Sequence, residues 1–225
     1  EGSIITLSKG EYHGNIVINK ALVIDGIDKK AKIIGDGKGS VISIKKSNVV
    51  IKNLSIENSG FSVEKIDSAI HAKEVNNITI ENNHISDSLF GINFEQVNRS
   101  KIVDNFITSK DLELGIRGDG IRLWNSHDNQ LFANRLYKSR DFVLWYSSGN
   151  NIENNYGSYN RYSLHFMYAG RNMVRNNFFE YNSVGIFFMY SSGTIAIGNT
   201  VKNSLGAFGV GIGMKDSSDF TLLEN

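Results

Sequence analysis

The chain has no cysteine and no proline in 225 residues. Without Cys there is no disulfide, no thiolate metal site and no catalytic thiol. A soft metal would have to be held by Met and His. Without Pro, tight turns must come from Gly and Asn, which tolerate backbone conformations closed to most residues. Charge is also scarce in net terms. The formal balance is +1, and no basic block or acidic tail interrupts the chain, which argues against a nucleic-acid partner. No apolar run approaches the roughly 20 residues that span a bilayer. The first residues, "EGSIITLSKG", lack a charged start followed by an apolar stretch, so no signal peptide is expected within this chain. A secreted protein whose leader had been removed would begin in the same way.

What the chain has instead is β-forming. Val, Ile and aromatic residues are plentiful, Ala and Leu are modest, and Gly numbers 22. That composition favours strands over helices.

The strands repeat. "YSLHFMY" (162–168) returns as "VGIFFMY" (184–190), 22 residues later. Aligning the chain on the Asn that closes each "I-x-I-x-N-N" run gives a column of Asn53, Asn83, Asn105, Asn134, Asn155, Asn177, Asn199 and Asn225. An apolar column keeps nearly the same step: Ile70, Ile92, Ile121, Val143, Leu164, Ile186 and Ile212. The unit is about 22 residues, lengthened by insertions near 58–68 and 108–118. A leucine-rich repeat would need consensus Leu positions and a helical segment in each unit, and neither is present. Each unit instead holds short runs with period-2 alternation, such as "NITIENNHI" (77–85) and "GINFEQ" (91–96). The expected fold is all-β, a single-stranded right-handed parallel β-helix in one domain over 1–225, with opening rungs in 1–60 and regular rungs in 61–225. Asn83, Asn105, Asn134, Asn155, Asn177 and Asn199 are expected to be structural, each turning a corner in the left-handed region and bonding along the axis. The N-terminal part resembles the opening rungs of pectin-lyase-like solenoids. "DFTLLEN" reads as the start of a rung with no polar cap after it. The natural protein is therefore expected to continue beyond Asn225, or to have this end covered.

Alternation also assigns faces. If Ile121 and its column point inward, so do Ala72, Phe94, Leu123, Trp145, Phe166, Phe188 and Met214 two places on. The columns between them then face out. One is His71, Asn93, Arg122, Leu144, His165, Phe187 and Gly213. The other is Lys73, Glu95, Trp124, Tyr146, Met167, Met189 and Lys215. The opposite phase would bury Arg122, Glu95 and two lysines without partners. An apolar, sulfur-bearing stripe on the middle rungs follows, and an exposed patch of that kind marks an interface.

The blocks "RGDGIRLWNS" (117–126), "RDFVLWYSSGN" (140–150), "RYSLHFMYAGRNMVRNN" (161–177), "VGIFFMYS" (184–191) and "GVGIGMKDSS" (209–218) closely resemble the NosD family. These are periplasmic β-helix proteins that accompany an ABC transporter in maturing the copper centre of nitrous oxide reductase. The resemblance covers roughly 100 residues. It implies a periplasmic location and a role in copper supply. It also implies partners: the membrane and ATPase subunits of the transporter, and a copper chaperone or nitrous oxide reductase. Contact with the membrane would run only through the transporter. No metal ligand is carried over from the family.

The residues themselves offer three chemistries. Met167 and Met189 fall at one position of adjacent rungs, with His165 two residues away on the same face. Two thioethers and an imidazole suit transient Cu(I), and no tightly bound cofactor is expected. Trp124, Leu144, Tyr146 and Phe187 are expected to form a partner-docking surface. The third is the runner-up, a carbohydrate-binding or carbohydrate-active β-helix protein such as a lyase, hydrolase or epimerase. It would need clustered carboxylates. The best pair is Asp119 over Asp141, beside a parallel Arg140 and Arg161 column that favours a plain ion-pair ladder.

Overall fold

The computed structural model describes residues 2–207 and 209–225. Among these, the strands form three parallel sheets of ten, nine and nine strands. One rung shows the path. Gln130–Phe132 lies in the first sheet, Arg135–Tyr137 in the second and Asp141–Trp145 in the third. Asn151–Glu153 then pairs directly beside Gln130–Phe132. The chain therefore winds as a three-faced solenoid. The longer sequence steps leave the sheets as loops at 58–67 and 110–120, the second carrying a 3₁₀ turn at Leu114–Ile116.

Period-2 alternation puts one apolar residue of each short strand inside. In the first sheet Ile51, Ile80, Ile102, Leu131 and Ile152 stack in register and are fully buried. In the second sheet the inward column runs Ile85, Ile107, Leu136, Gly157 and Phe179. Gly157 has a packing reason: a Cβ there would crowd the Phe179 ring. The small residue beside the large ring keeps the column filled at that rung. No rung could bury its face alone, so neighbours supply the core.

The Asn column is a buried ladder. Each side-chain amide donates to the Oδ1 of the next Asn, from Asn83 through Asn105, Asn134, Asn155 and Asn177 to Asn199, over 2.8–3.0 Å. The same oxygens accept the backbone N–H of the preceding ladder residue. One expectation is corrected. The ladder residues do not occupy the left-handed region themselves. The residue before each one does: Asn82, Asp104, Ala133, Asn154 and Asn176 have φ of 52–55°. Asn53 belongs to this outer column, and Leu54 takes the ladder position, its N–H donating to Asn83 Oδ1 at 3.1 Å. The ladder step from Leu54 to Asn83 is 29 residues, one fewer than the Asn53–Asn83 spacing, and the loop at 58–67 accounts for its excess over 22. A second buried ladder, Asn129, Asn150 and Asn172, lies at another corner.

Candidate functional site

The third sheet carries the chemistry on its outer face. Its register corrects the sequence alignment at one strand. Ile121 pairs with Phe142 and Leu123 with Leu144, a step of 21 residues. The next pairing shifts between Asp141 and Val143, where the strand takes up the odd residue. A one-residue slip exchanges the two faces of a strand. Leu144 is accordingly 0% exposed and lies in the core between Leu123 and Phe166. It cannot belong to a docking surface. Trp145 moves outward, beside Trp124 on one rung and Met167 on the next. The outer columns are therefore His71, Asn93, Arg122, Val143, His165 and Phe187, and Lys73, Glu95, Trp124, Trp145, Met167 and Met189. Met214, expected inside, is exposed on the last described rung of this sheet.

Tyr146 is exposed, but it sits at the corner beyond the strand with φ 51°. Tyr168 and Tyr190 occupy the same corner position with φ 50°. Their rings stack, with centroids 5.1 and 4.9 Å apart, and Trp145 lies 6.3 Å from Tyr146 at an interplanar angle of 22°. A left-handed backbone is costly for a bulky side chain, and stacking offsets part of that cost. The sequence signal was present as "WYS", "MYA" and "MYS" (145–147, 167–169, 189–191), whose alignment gives the 22-residue step at this strand directly.

Met167 and Met189 are register partners on adjacent strands. His165, in the neighbouring column, is 7% exposed. Its ring packs on Tyr162 at 4.4 Å and edge-on to Phe187 at 6.2 Å. Its Nδ1 lies 3.7 Å from Asp141 Oδ2, too far for a hydrogen bond. Both ring nitrogens are buried with no hydrogen-bond partner, as are Trp145 Nε1 and Asn93 Nδ2 on the same face. Thioether and imidazole are donor types that suit Cu(I), and His165, Met167 and Met189 all lie on the outward side of this sheet. No group of three or more His, Asp or Glu residues that could hold a metal occurs among the described residues.

Asp119 and Asp141 are buried beneath this face. Arg140 Nε donates to Asp119 Oδ1 at 2.9 Å, and Arg161 Nε donates to Asp141 Oδ1 at 2.9 Å. Burial, and then the charge of Asp141, push Asp119 up to about 6 against the pull of Arg140. Burial also acts to raise Asp141, but His165 and Arg161 outweigh it and hold its carboxyl below the usual range. The pair thus holds two unlike carboxyls, each tied to an arginine. Toward the N-terminal rungs the face becomes charged, with Lys73 Nζ 2.6 Å from Glu95 Oε1.

Comparison with known proteins places the chain. Residues 112–225 match the family described as "Periplasmic copper-binding protein (NosD)", and residues 40–156 match "Right handed beta helix region". No curated protein sequence matches. Among solved structures, ORF18 of Geobacillus virus E2 is similar over 98% of this chain and 54% of its own, with a TM-score of 0.69 and 13% identity. The chain thus spans about half the length of that viral protein. The A-module of the mannuronan C-5 epimerase AlgE4 from Azotobacter vinelandii is covered to 87% by 99% of this chain, with a TM-score of 0.61 and 13% identity. An alginate lyase from Paenibacillus sp. is covered to 92% by 96% of this chain, with a TM-score of 0.65 and 12% identity. At such identities the likeness is one of fold.

Proposed function

The chain belongs to the NosD family and is built as a right-handed β-helix, and from that premise we propose that it serves as a periplasmic accessory in copper-centre assembly. In this reading it docks partner proteins and carries Cu(I) transiently, beside an ABC transporter and nitrous oxide reductase or its copper chaperone. No helix among the described residues is long and apolar enough to cross a membrane, and in this reading contact with the bilayer runs through the transporter.

One observation carries the proposal. The outer column Trp124, Trp145, Met167 and Met189 is continuous over four rungs, and charged residues occupy the rungs on either side. Large aromatic residues at a surface anchor partners, and adjacent thioethers bind soft ions. The column thus joins a contact surface to a donor set. Copper would be cargo here. Met167 and Met189 would hold it and His165 would complete the set. A site without thiolate binds loosely enough to release the ion.

The carbohydrate-active alternative rests on the fold likeness to alginate epimerases and lyases. It needs carboxylates that reach a substrate. Asp119 and Asp141 are covered and paired with Arg140 and Arg161, an arrangement that suits an ion-pair ladder better than acid–base work.

The docking role is tested by Trp124→Ser/Trp145→Ser. Both side chains lie outside the core, so the fold should persist. Retention of the transporter complex on the immobilised double variant should drop at least tenfold against the parent. Equal retention by a folded double variant would remove this face as the contact.

A further inference from the structure

A second site lies on another face. Two cavities of about 630 and 720 Å³ adjoin over the corner between the first and second sheets and share Asp104, Phe106, Ala133 and Arg135. Together they form one trough parallel to the helix axis. Along it the corner residues Asn53, Asn82, Asp104, Ala133 and Asn154 succeed one another rung by rung, so it runs roughly 19 Å at the strand spacing.

Ala133 is the odd member of this corner. Its φ is 55°, and Asn82, Asp104 and Asn154 share that conformation within 2°. Asn and Asp tolerate the left-handed region, whereas Ala has no polar side chain to offset its cost. Its small side chain leaves open the place where the two cavities meet. Phe106, Arg135 and Tyr156 follow in register along the wall, and Tyr159 meets Tyr137 edge-on at 5.6 Å nearby. Among the described residues the arginine ion pairs are those of Arg140 and Arg161. Arg135 is exposed and has none.

We propose that this trough binds an acidic oligosaccharide, a chain of uronate-type sugars lying along the helix axis. A sugar ring presents an apolar C–H face and a rim of hydroxyls that both donate and accept. Phe106 and Tyr156 offer flat apolar faces, and Asp104, Asn154 and Ser158 offer acceptors and donors. The free guanidinium of Arg135 is matched to a carboxylate, which it can bind through two parallel hydrogen bonds. The rung spacing is close to the rise of one sugar residue in an extended chain. Each of the two cavities falls in the size range of small-molecule sites. The trough lies away from the third sheet, so the proposal does not depend on copper.

The test is calorimetric titration of the purified protein with tetragalacturonate and tetramannuronate, beside neutral cellotetraose and a tetraglutamate peptide. At least one uronate should bind ten times more tightly than cellotetraose and than the peptide. Arg135→Gln should erase that preference. Ala133→Asn should block uronate binding at least tenfold, with an unfolding midpoint no lower than the parent's, because Asn suits the backbone there and fills the floor. No binding of either uronate, equal binding of cellotetraose or the peptide, or uronate binding unchanged in Ala133→Asn would each overturn the proposal.

Discussion

Asn155 gives both its side-chain amide and its backbone N–H to one atom, the Oδ1 of Asn177, at 3.0 and 2.9 Å. Asn155 Oδ1 in turn accepts the same two donors from Asn134. The ladder thus supplies acceptors for buried backbone N–H groups at a corner where strand pairing stops, which explains why Asn recurs there.

Asn155→Leu should therefore be strongly destabilising. It leaves the backbone N–H of Asn134 and one N–H of its side-chain amide without an acceptor, and takes the Asn155 amide away from the Leu131 carbonyl, at about 1–3 kcal/mol for each buried group left unpaired. The expected loss is about 3 kcal/mol or more, read from the urea midpoint. Asn177→Leu should behave alike, since the rungs are equivalent. Midpoints equal to the parent's would contradict the ladder.

The tyrosine corner sets two effects against each other. Tyr168 stacks on both Tyr146 and Tyr190, at roughly 0.5–1.5 kcal/mol per aromatic pair. Asn at the same φ would relieve about 1 kcal/mol of left-handed strain. Tyr168→Asn should lower stability by about 1 kcal/mol. Tyr146→Asn/Tyr168→Asn/Tyr190→Asn also removes the Trp145–Tyr146 stack but relieves three strained positions, so it should be no less stable than Tyr168→Asn. A triple variant far less stable than the single one would show that the stacking outweighs the backbone strain at this corner.

The carboxyl pair fixes a pH dependence. Asp119 titrates near 6 in the fold, against an ordinary value of 3.8. Its folded form holds the proton more tightly than the unfolded chain does, so its contribution favours folding below 3.8 and is lost as pH rises to about 6. That loss amounts to as much as about 3 kcal/mol. Asp141 is shifted the other way, and its contribution fades only in more acidic solution. Stability measured in urea should fall from pH 4 to pH 6 in the parent, and fall less in Asp119→Asn. The same slope in both would assign the titration elsewhere.

How far the sequence could be read depended on the step. The 22-residue period, the β-helix and the buried Asn ladder are legible because each rung repeats the same corner chemistry. So is the pairing of Met167 with Met189, where the step is 22 residues from Trp145 to Met167 and again to Met189. The docking face was misread at Leu144 and Tyr146 because that rung is one residue shorter, and alternation magnifies a single slip into an exchange of faces. Trp145 was thereby placed inside, and the tyrosine corner went unnoticed. The burial of His165 against Tyr162 and Asp141 was not legible at all. It depends on a bulged strand bringing residues 141 and 165 together, and no spacing rule encodes that.

The central claim is that Met167, Met189 and His165 form a soft cargo site. Titrating Cu(I) against a colorimetric chelator, with the parent and with Met167→Leu/Met189→Leu, tests it most directly. Leucine keeps the volume and apolarity of methionine, so the stripe and the fold should survive. The account predicts that the parent takes one Cu(I) from the chelator in preference to Zn(II), and that the double variant binds at least tenfold more weakly. No uptake by the parent, or equal uptake by both proteins, would contradict it.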